Sequence, residues 1–182
     1  MTFSITQETI KKLNDYKFEE LNKNFIFECL DDRYRWPFVY LNYNQPTVEI
    51  ISLDRHEFYC NDGYINSDKI KSIYDIGFTL IISRVQTLTS EIRKFSSIIE
   101  KDFGKEININ LYMSKGKKEV SFPSHDHHYD VVVKNIQGKS TWICNNEKTI
   151  LEEQNILLIE KYKMHQVISI ENSKMSLTCN LN

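Results

Sequence analysis

Three of the five histidines in this 182-residue chain fall within four positions, as His125, His127 and His128. The next one, His165, opens the run "HQVISI". Neutral imidazole is the commonest protein ligand for a transition metal. On a strand, alternate side chains share a face. His125 and His127 are therefore expected to point the same way, about 7 Å apart along the chain, with His128 turned to the other face. His165 is placed to add a third ligand from a neighbouring strand. Three protein ligands on one face of an octahedral metal leave three positions open, the arrangement non-haem iron uses to hold a substrate beside O2. An HxH pair alone is more often an ordinary polar strand end. His56 and His128 are read that way, and the metal reading rests on His125, His127 and His165 together.

Several elements must position these residues. "TQETIKKLNDYKFEEL" reads as a helix, and "FVYLNY" and "TVEIIS" read as short strands rich in β-branched and aromatic residues. "SDKIKSIYDIG" reads as a short helix with Ser67 as N-cap and Gly77 as its stop, followed by the buried strand "FTLIIS". The clearest helix is "TSEIRKFSSIIEKDFG". Its Ile92, Phe95 and Ile99 share one face, Thr89 or Ser90 caps the start, and Gly104 sits at the expected left-handed C-cap. From Ile107 the pattern changes to short strands: "ININLYM", "YDVVVKNI", "STWIC", "KTILEE", "NILLIEK", "HQVISI" and "MSLTCNL", with "QGK" and "CNNEK" among the turns. Short strands at close spacing imply a sandwich or barrel. No repeat or linker interrupts them. The expectation is an α+β, mainly β chain forming a single domain over residues 1–182. Residues 1–106 would be the lead-in and 107–182 the barrel core carrying the metal site.

The totals narrow the function classes. Hydrophobic residues make up 41% and charged residues 26%, as in ordinary globular proteins. The net charge of −2, without a basic block, argues against nucleic acid as a partner. No apolar run is long enough for a membrane span. The opening "MTFSITQETIKK" lacks the charged start and apolar core of a secretory signal. Cys29, Cys60, Cys144 and Cys179 are far apart and read as buried thiols in a reducing cytoplasm.

The stretch "NLYMSKGKKEVSFPSHDHHYDVVVKNIQGKSTW" resembles the JmjC-type oxygenases of the cupin fold, most closely their ribosomal-oxygenase branch. Asn110, Tyr112, Phe122, His125, Asp130, Val131, Gly138 and Trp142 fall on that family's block, with one extra residue in the turn. "NILLIEKYKMH" matches the second block and ends in His165. The likeness extends from about Trp36 to the end of the chain. It implies a double-stranded β-helix (jelly roll) behind N-terminal helices and strands. It also implies His125 and His165 as ligands, and Asn110 and Tyr112 facing the site.

Three departures modify the expected chemistry. The family's metal motif is His-x-Asp…His, and His127 stands at the Asp position. The cation that clamps the far carboxylate of 2-oxoglutarate falls fifteen residues after the first ligand, where this chain has Ser140. The additional C-terminal parts of ribosomal oxygenases are not expected here. A charged hydrogen bond to a carboxylate contributes roughly 1.5–3 kcal/mol, or about one to two decades of affinity. Losing both the Asp ligand and the clamp points away from 2-oxoglutarate. The expected activity is that of a non-haem Fe(II) oxygenase or dioxygenase acting with O2 on a small molecule or short peptide. Its ligands would be His125, His127 and His165. Asn110 and Tyr112 would contact substrate or cosubstrate. Ser140 and Lys134 would lie near the cosubstrate pocket, and Arg84 is a further candidate for a substrate carboxylate. Asp130 is expected to be structural or to orient a ligand histidine. The rivals are a 2-oxoglutarate-dependent hydroxylase anchored on Lys134 or Lys139, and a non-catalytic metal-binding cupin module.

Overall fold

The computed structural model describes residues 5–31, 47–50, 65–116 and 122–182. The expected strand "FVYLNY", the end of "TVEIIS", Trp36, His56, Cys60 and residues 117–121 lie outside the described residues. No described helix is long and apolar enough to cross a membrane.

The first helix is shorter than its sequence suggests. Helix α1 (Gln7–Asp15) starts at Thr6, whose Oγ1 accepts the Thr9 N–H at 3.2 Å. Instead of continuing to Leu21, the chain turns and begins a second, unanticipated helix, α2 (Lys23–Asp31). The cause is long-range. The Glu91 carboxylate accepts the N–H of Glu19 at 2.9 Å and of Leu21 at 3.2 Å, which withdraws those amides from a helical ladder. The rings of Tyr16, Phe18 and Phe95 pack at centroid distances of 5.1–5.4 Å and anchor the same turn.

Strand β1 (Thr47–Ile50) is followed by α3 (Ser67–Asp75). Asn66, not Ser67, caps α3 by accepting the Lys69 N–H at 3.0 Å. Strand β2 (Leu80–Ser83) leads through a single 3-10 turn (Val85–Thr87) into α4 (Ser90–Phe103). Helix α4 keeps its expected ends. Thr89 Oγ1 accepts the Ile92 N–H, and Gly104 closes the helix in the left-handed region at φ 78°. Ile92, Phe95 and Ile99 are fully buried, as their spacing requires.

The remaining strands are β3 (Asn108–Ser114), β4 (Asp130–Cys144), β5 (Glu147–Leu151), β6 (Ile156–Ile159) and β7 (His165–Leu181). All pairings are antiparallel, in the order β1-β2-β3-β7-β4-β5, with β6 also on β4. The first half of β4 pairs with β6 and the end of β7. Its second half pairs with β5 and the start of β7. The sheet thus rolls around an interior, giving a mainly β double-stranded β-helix with helices packed outside.

Two expected turns are bulges instead. "YDVVVKNI" and "STWIC" form one strand, as do "HQVISI" and "MSLTCNL". A glycine with positive φ serves a bulge as well as a hairpin. Gly138 (φ 77°) lies in the irregular register between Gln137↔Met175 and Lys139↔Glu171, facing a matching kink at Asn172 (φ 58°).

Residue parity explains the layers. Ile109, Leu111 and Met113 of β3, with Met175, Leu177 and Cys179 of β7, join the helical residues Leu13, Ile26, Ile70 and Phe95 in one core. The alternate residues face the interior of the roll. A Cβ on Gly138 would stand 2.2 Å from the Ser173 carbonyl oxygen, whereas one on Gly104 meets nothing within 4 Å. Both glycines carry the left-handed penalty of about 1–2 kcal/mol for an L side chain, but only Gly138 adds a clash. Gly138→Ala should therefore lower thermal stability distinctly more than Gly104→Ala in matched denaturation scans. Equal losses would mean that the β4–β7 approach is looser than described.

Candidate metal centre and its chamber

The three candidate ligands come together, though not by strand alternation. His125 and His127 lie in the connection before β4, outside any strand. What aligns them is backbone pairing of this connection with the start of β7 and the turn before it. The His125 N–H donates to the His165 carbonyl at 3.1 Å, and the His165 N–H returns to the His125 carbonyl at 2.8 Å. The His127 carbonyl accepts the Tyr162 N–H at 2.6 Å. One ring nitrogen from each of His125, His127 and His165 can be chosen so that all lie within 4.8 Å of one another. Ring centroids are 4.4 Å apart for His125 and His165, 5.0 Å for His125 and His127, and 5.1 Å for His127 and His165. His128 is exposed, its ring edge-on to Tyr129.

Local hydrogen bonds fix the tautomers. Nδ1 of His125 lies 2.9 Å from the Pro123 carbonyl, and Nδ1 of His165 lies 2.9 Å from the Lys163 carbonyl. A carbonyl only accepts, so each Nδ1 carries the proton and leaves the Nε2 lone pair for a metal. The His127 ring stacks on Tyr129 at 4.9 Å and 7°. His165, 4% exposed, lies near-parallel to the Trp142 indole at 6.5 Å and 28°. Burial pushes both His127 and His165 below the ordinary imidazole value. Repulsion from the other histidines adds to this for His127, while the Lys163 carbonyl opposes it for His165. Such imidazoles favour the neutral, ligating form.

The triad opens on a chamber of about 310 Å³ inside the roll, within the size range of small-molecule sites. Asn110 and Tyr112 line it. The cross-strand pairs Asn110↔Thr178, Tyr112↔Ser176 and Ser114↔Lys174 make one wall polar. Val131, Val133, Trp142 and Ile159 belong to a second apolar cluster and supply the opposite lining.

Three expected site residues lie elsewhere. Lys134 projects away from the chamber. Its Nζ donates to the carbonyls of Leu13, Asn14 and Gln154 at 3.0, 3.2 and 2.6 Å, clamping the C-terminal end of α1, and burial lowers its pKa to about 8. Ser140 is buried behind the chamber wall, where its Oγ accepts the Trp142 indole N–H at 2.9 Å. Arg84 holds the left-handed corner before the 3-10 turn at φ 61°, outside the chamber lining. Lys139, the other proposed anchor, pairs with Glu152 at 3.2 Å. Asp130 is structural, its Oδ1 accepting the Lys161 N–H at 2.9 Å.

Sequence reasoning missed Lys174. It is 6% exposed, lines the chamber, and holds its Nζ 4.8 Å from the centroid of the Trp142 ring. Burial pushes its ammonium down to about 7. The signal was present in "SKMSLTCN", where Lys174, Ser176, Thr178 and Asn180 alternate with Met175, Leu177 and Cys179. That alternation marks a strand with one polar inner face. Splitting β7 into two strands hid the parity.

No family model matches the chain, and no curated protein matches it. Among solved structures it is similar to a cupin superfamily protein from Desulfitobacterium hafniense, at 16% identity over 41% of this chain and 65% of that one, with TM-score 0.36. It is also similar to an RmlC-like cupin family protein with a double-stranded β-helix fold from Methanocaldococcus jannaschii, at 17% identity over 41% of this chain and 68% of that one, with TM-score 0.36. The EutQ protein of Clostridium difficile matches at 12% identity over 57% of this chain and 68% of its own, with TM-score 0.39. At these identities and scores the likenesses carry no functional argument.

Two outcomes are expected. His125→Ala, His127→Ala and His165→Ala should each weaken Co(II) binding by more than the roughly 10–100-fold typical of removing a residue that only supports a ligand. His128→Ala should leave the affinity unchanged. Anaerobic spectroscopic titration checks this, and equal losses for all four would refute the ligand set. The second outcome concerns pH. As pH falls through the ordinary value of 6.5, the unfolded chain takes up protons that folded His127 and His165 resist. The folded state is therefore destabilised there. The melting temperature of the metal-free protein should fall between pH 7 and pH 5.5, less steeply in His165→Gln, as followed by circular dichroism.

Proposed function

We propose that this chain is a non-haem Fe(II)-dependent oxygenase that acts on a small molecule, or on one side chain of a short peptide, without consuming 2-oxoglutarate. The observation that carries this reading is the convergence of three histidines on the edge of a small-molecule-sized chamber. The JmjC-like sequence blocks support iron as the metal.

The donor set fits such an ion. His125 and His165 are held in the Nε2-free tautomer by carbonyls on their own loops, and the Tyr129 ring holds the plane of His127. Three ligands leave positions open toward the chamber. Fe(II), when bound there, would supply the redox chemistry with O2. The chain's own groups would do the remaining work. Asn110 and Tyr112 offer an amide and a phenol for orienting the substrate. Val131, Val133 and Trp142 keep one side of the chamber dry. Phe122, 6.0 Å from the His125 ring and 6.2 Å from that of Tyr112, screens the triad on its more exposed side. Lys134 and Lys139 are committed to other partners, so the hydroxylase rival is without the two anchors first considered for it.

The test is anaerobic reconstitution with Fe(II), metal analysis, and then an O2-uptake screen with small organic substrates. Near-stoichiometric iron and substrate-dependent O2 uptake without succinate release are the expected results. Stoichiometric succinate would instead identify a 2-oxoglutarate-dependent hydroxylase. Bound iron with no O2 uptake on any substrate would identify a metal-binding module. Tyr112→Phe should lower turnover about tenfold or more, while iron content stays unchanged.

A further inference from the structure

The chamber contains a lysine that the triad does not explain. Lys12, Lys71, Lys115 and Lys139 pair with carboxylates on more accessible surfaces, and the buried Lys134 is satisfied by three carbonyls. Lys174 is also buried, yet no carboxylate and no hydrogen-bond acceptor among the described residues reaches its Nζ. It lies over the face of Trp142. An ammonium withdrawn from water without an anion is costly, and a cation–π contact recovers only part of that cost. A polar group so placed is complete only when a ligand arrives.

Its surroundings suit a carboxylate. Ser114, the cross-strand neighbour of Lys174, has its Oγ 2.8 Å from Thr79 Oγ1, and Ser176 follows on the same face. These hydroxyls can donate to carboxylate oxygens that Lys174 does not engage. Trp142 connects this corner to the triad, stacking near His165 while it meets the lysine. The two polar ends are thus separated by about one aromatic side chain, within a chamber of about 310 Å³.

We propose that the corner around Lys174 is an organic-anion subsite, so that the molecule held between it and the histidine triad is a small organic acid. Its carboxylate pairs with Lys174, and its opposite end, a few carbons away, reaches the triad. The second half of this statement rests on reading the triad as a metal site; the first half does not. The acid is the substrate itself, in keeping with an oxygenase that consumes no 2-oxoglutarate.

The experiment is calorimetric titration of the full chain, metal-free and Fe(II)-loaded under anaerobic conditions. The probes are succinate, glutarate and 2-oxoglutarate, with uncharged succinamide as a control. Lys174→Met should weaken binding of the acids by about 10–100-fold, the range expected for one charged hydrogen bond. It should leave the weak binding of succinamide unchanged, and Lys174→Arg should retain most of the acid affinity. Lys174→Gln is a second charge-removing variant in case the methionine form does not fold. The metal-free wild type should already bind the acids in a Lys174-dependent way, so failure of the metal reading leaves this result standing. Oxidative conversion of 2-oxoglutarate to succinate and CO2 by the loaded wild type, once O2 is admitted, would overturn the assignment to the substrate. Acid binding without that conversion assigns it to the substrate. Acids that bind equally well to wild type and Lys174→Met, or that bind neither form of the wild type at millimolar concentration, overturn the proposal.

Discussion

The pairing of β4 with β7 organises this molecule. It runs from Asp130↔Leu181 to Cys144↔His165, nearly the full length of both strands. Because the two strands are antiparallel, the start of β4 meets the end of β7, and β6 and β5 attach to successive halves of β4. The same ladder closes the roll, places His165 at one end of the chamber and carries Lys174 along its wall. The loop preceding β4 then needs only a local backbone exchange with His165 to bring His125 and His127 into range.

Charge is distributed unevenly around this frame. Where β3 pairs with the second half of β7, the outer face carries Ile109, Leu111, Met113, Met175, Leu177 and Cys179 and packs on helices, while the inner face carries amides, hydroxyls and one lysine. A sheet with an apolar outer face and a polar inner face is the reverse of a surface sheet. It is stable here because helices cover the outside and the interior is a chamber instead of a filled core. Two buried lysines show opposite solutions to the same electrostatic problem. Lys134 spends all its donors on backbone carbonyls and so ties α1 and the segment before β6 to the sheet. Lys174 keeps its donors directed into the chamber.

Much of this was legible in the sequence wherever a local pattern decides the outcome. Helix α4 could be read from its caps and from the spacing of Ile92, Phe95 and Ile99. The mainly β back half could be read from its strand density, and the histidine triad from residue type and spacing. What escaped was set by distant partners. The break after α1 depends on Glu91, seventy positions later and more. The bulge at Gly138 depends on the kinked partner strand, since an isolated "QGK" is equally good chemistry for a hairpin. Lys134 was misassigned because its contacts come from α1, far along the chain, and Lys174 was missed because the continuity of β7 was not apparent. The histidines were grouped correctly for an incorrect local reason, since a backbone bridge from the loop before β4 to the start of β7, and not strand pleating, aligns them.

The kink in β7 has a geometric consequence of its own. Gly116 and Gly138 leave no room for a Cβ against the carbonyls of Asn172 and Ser173, so main chain from two other segments pins the backbone immediately before Lys174. The backbone interval from His165 to Lys174 is therefore set by main-chain contacts, and the lysine side chain adds its reach to it. On the proposed organic-acid subsite it would act as a ruler across the chamber: molecules too short to span it would leave one end unengaged, and longer ones would bend or protrude.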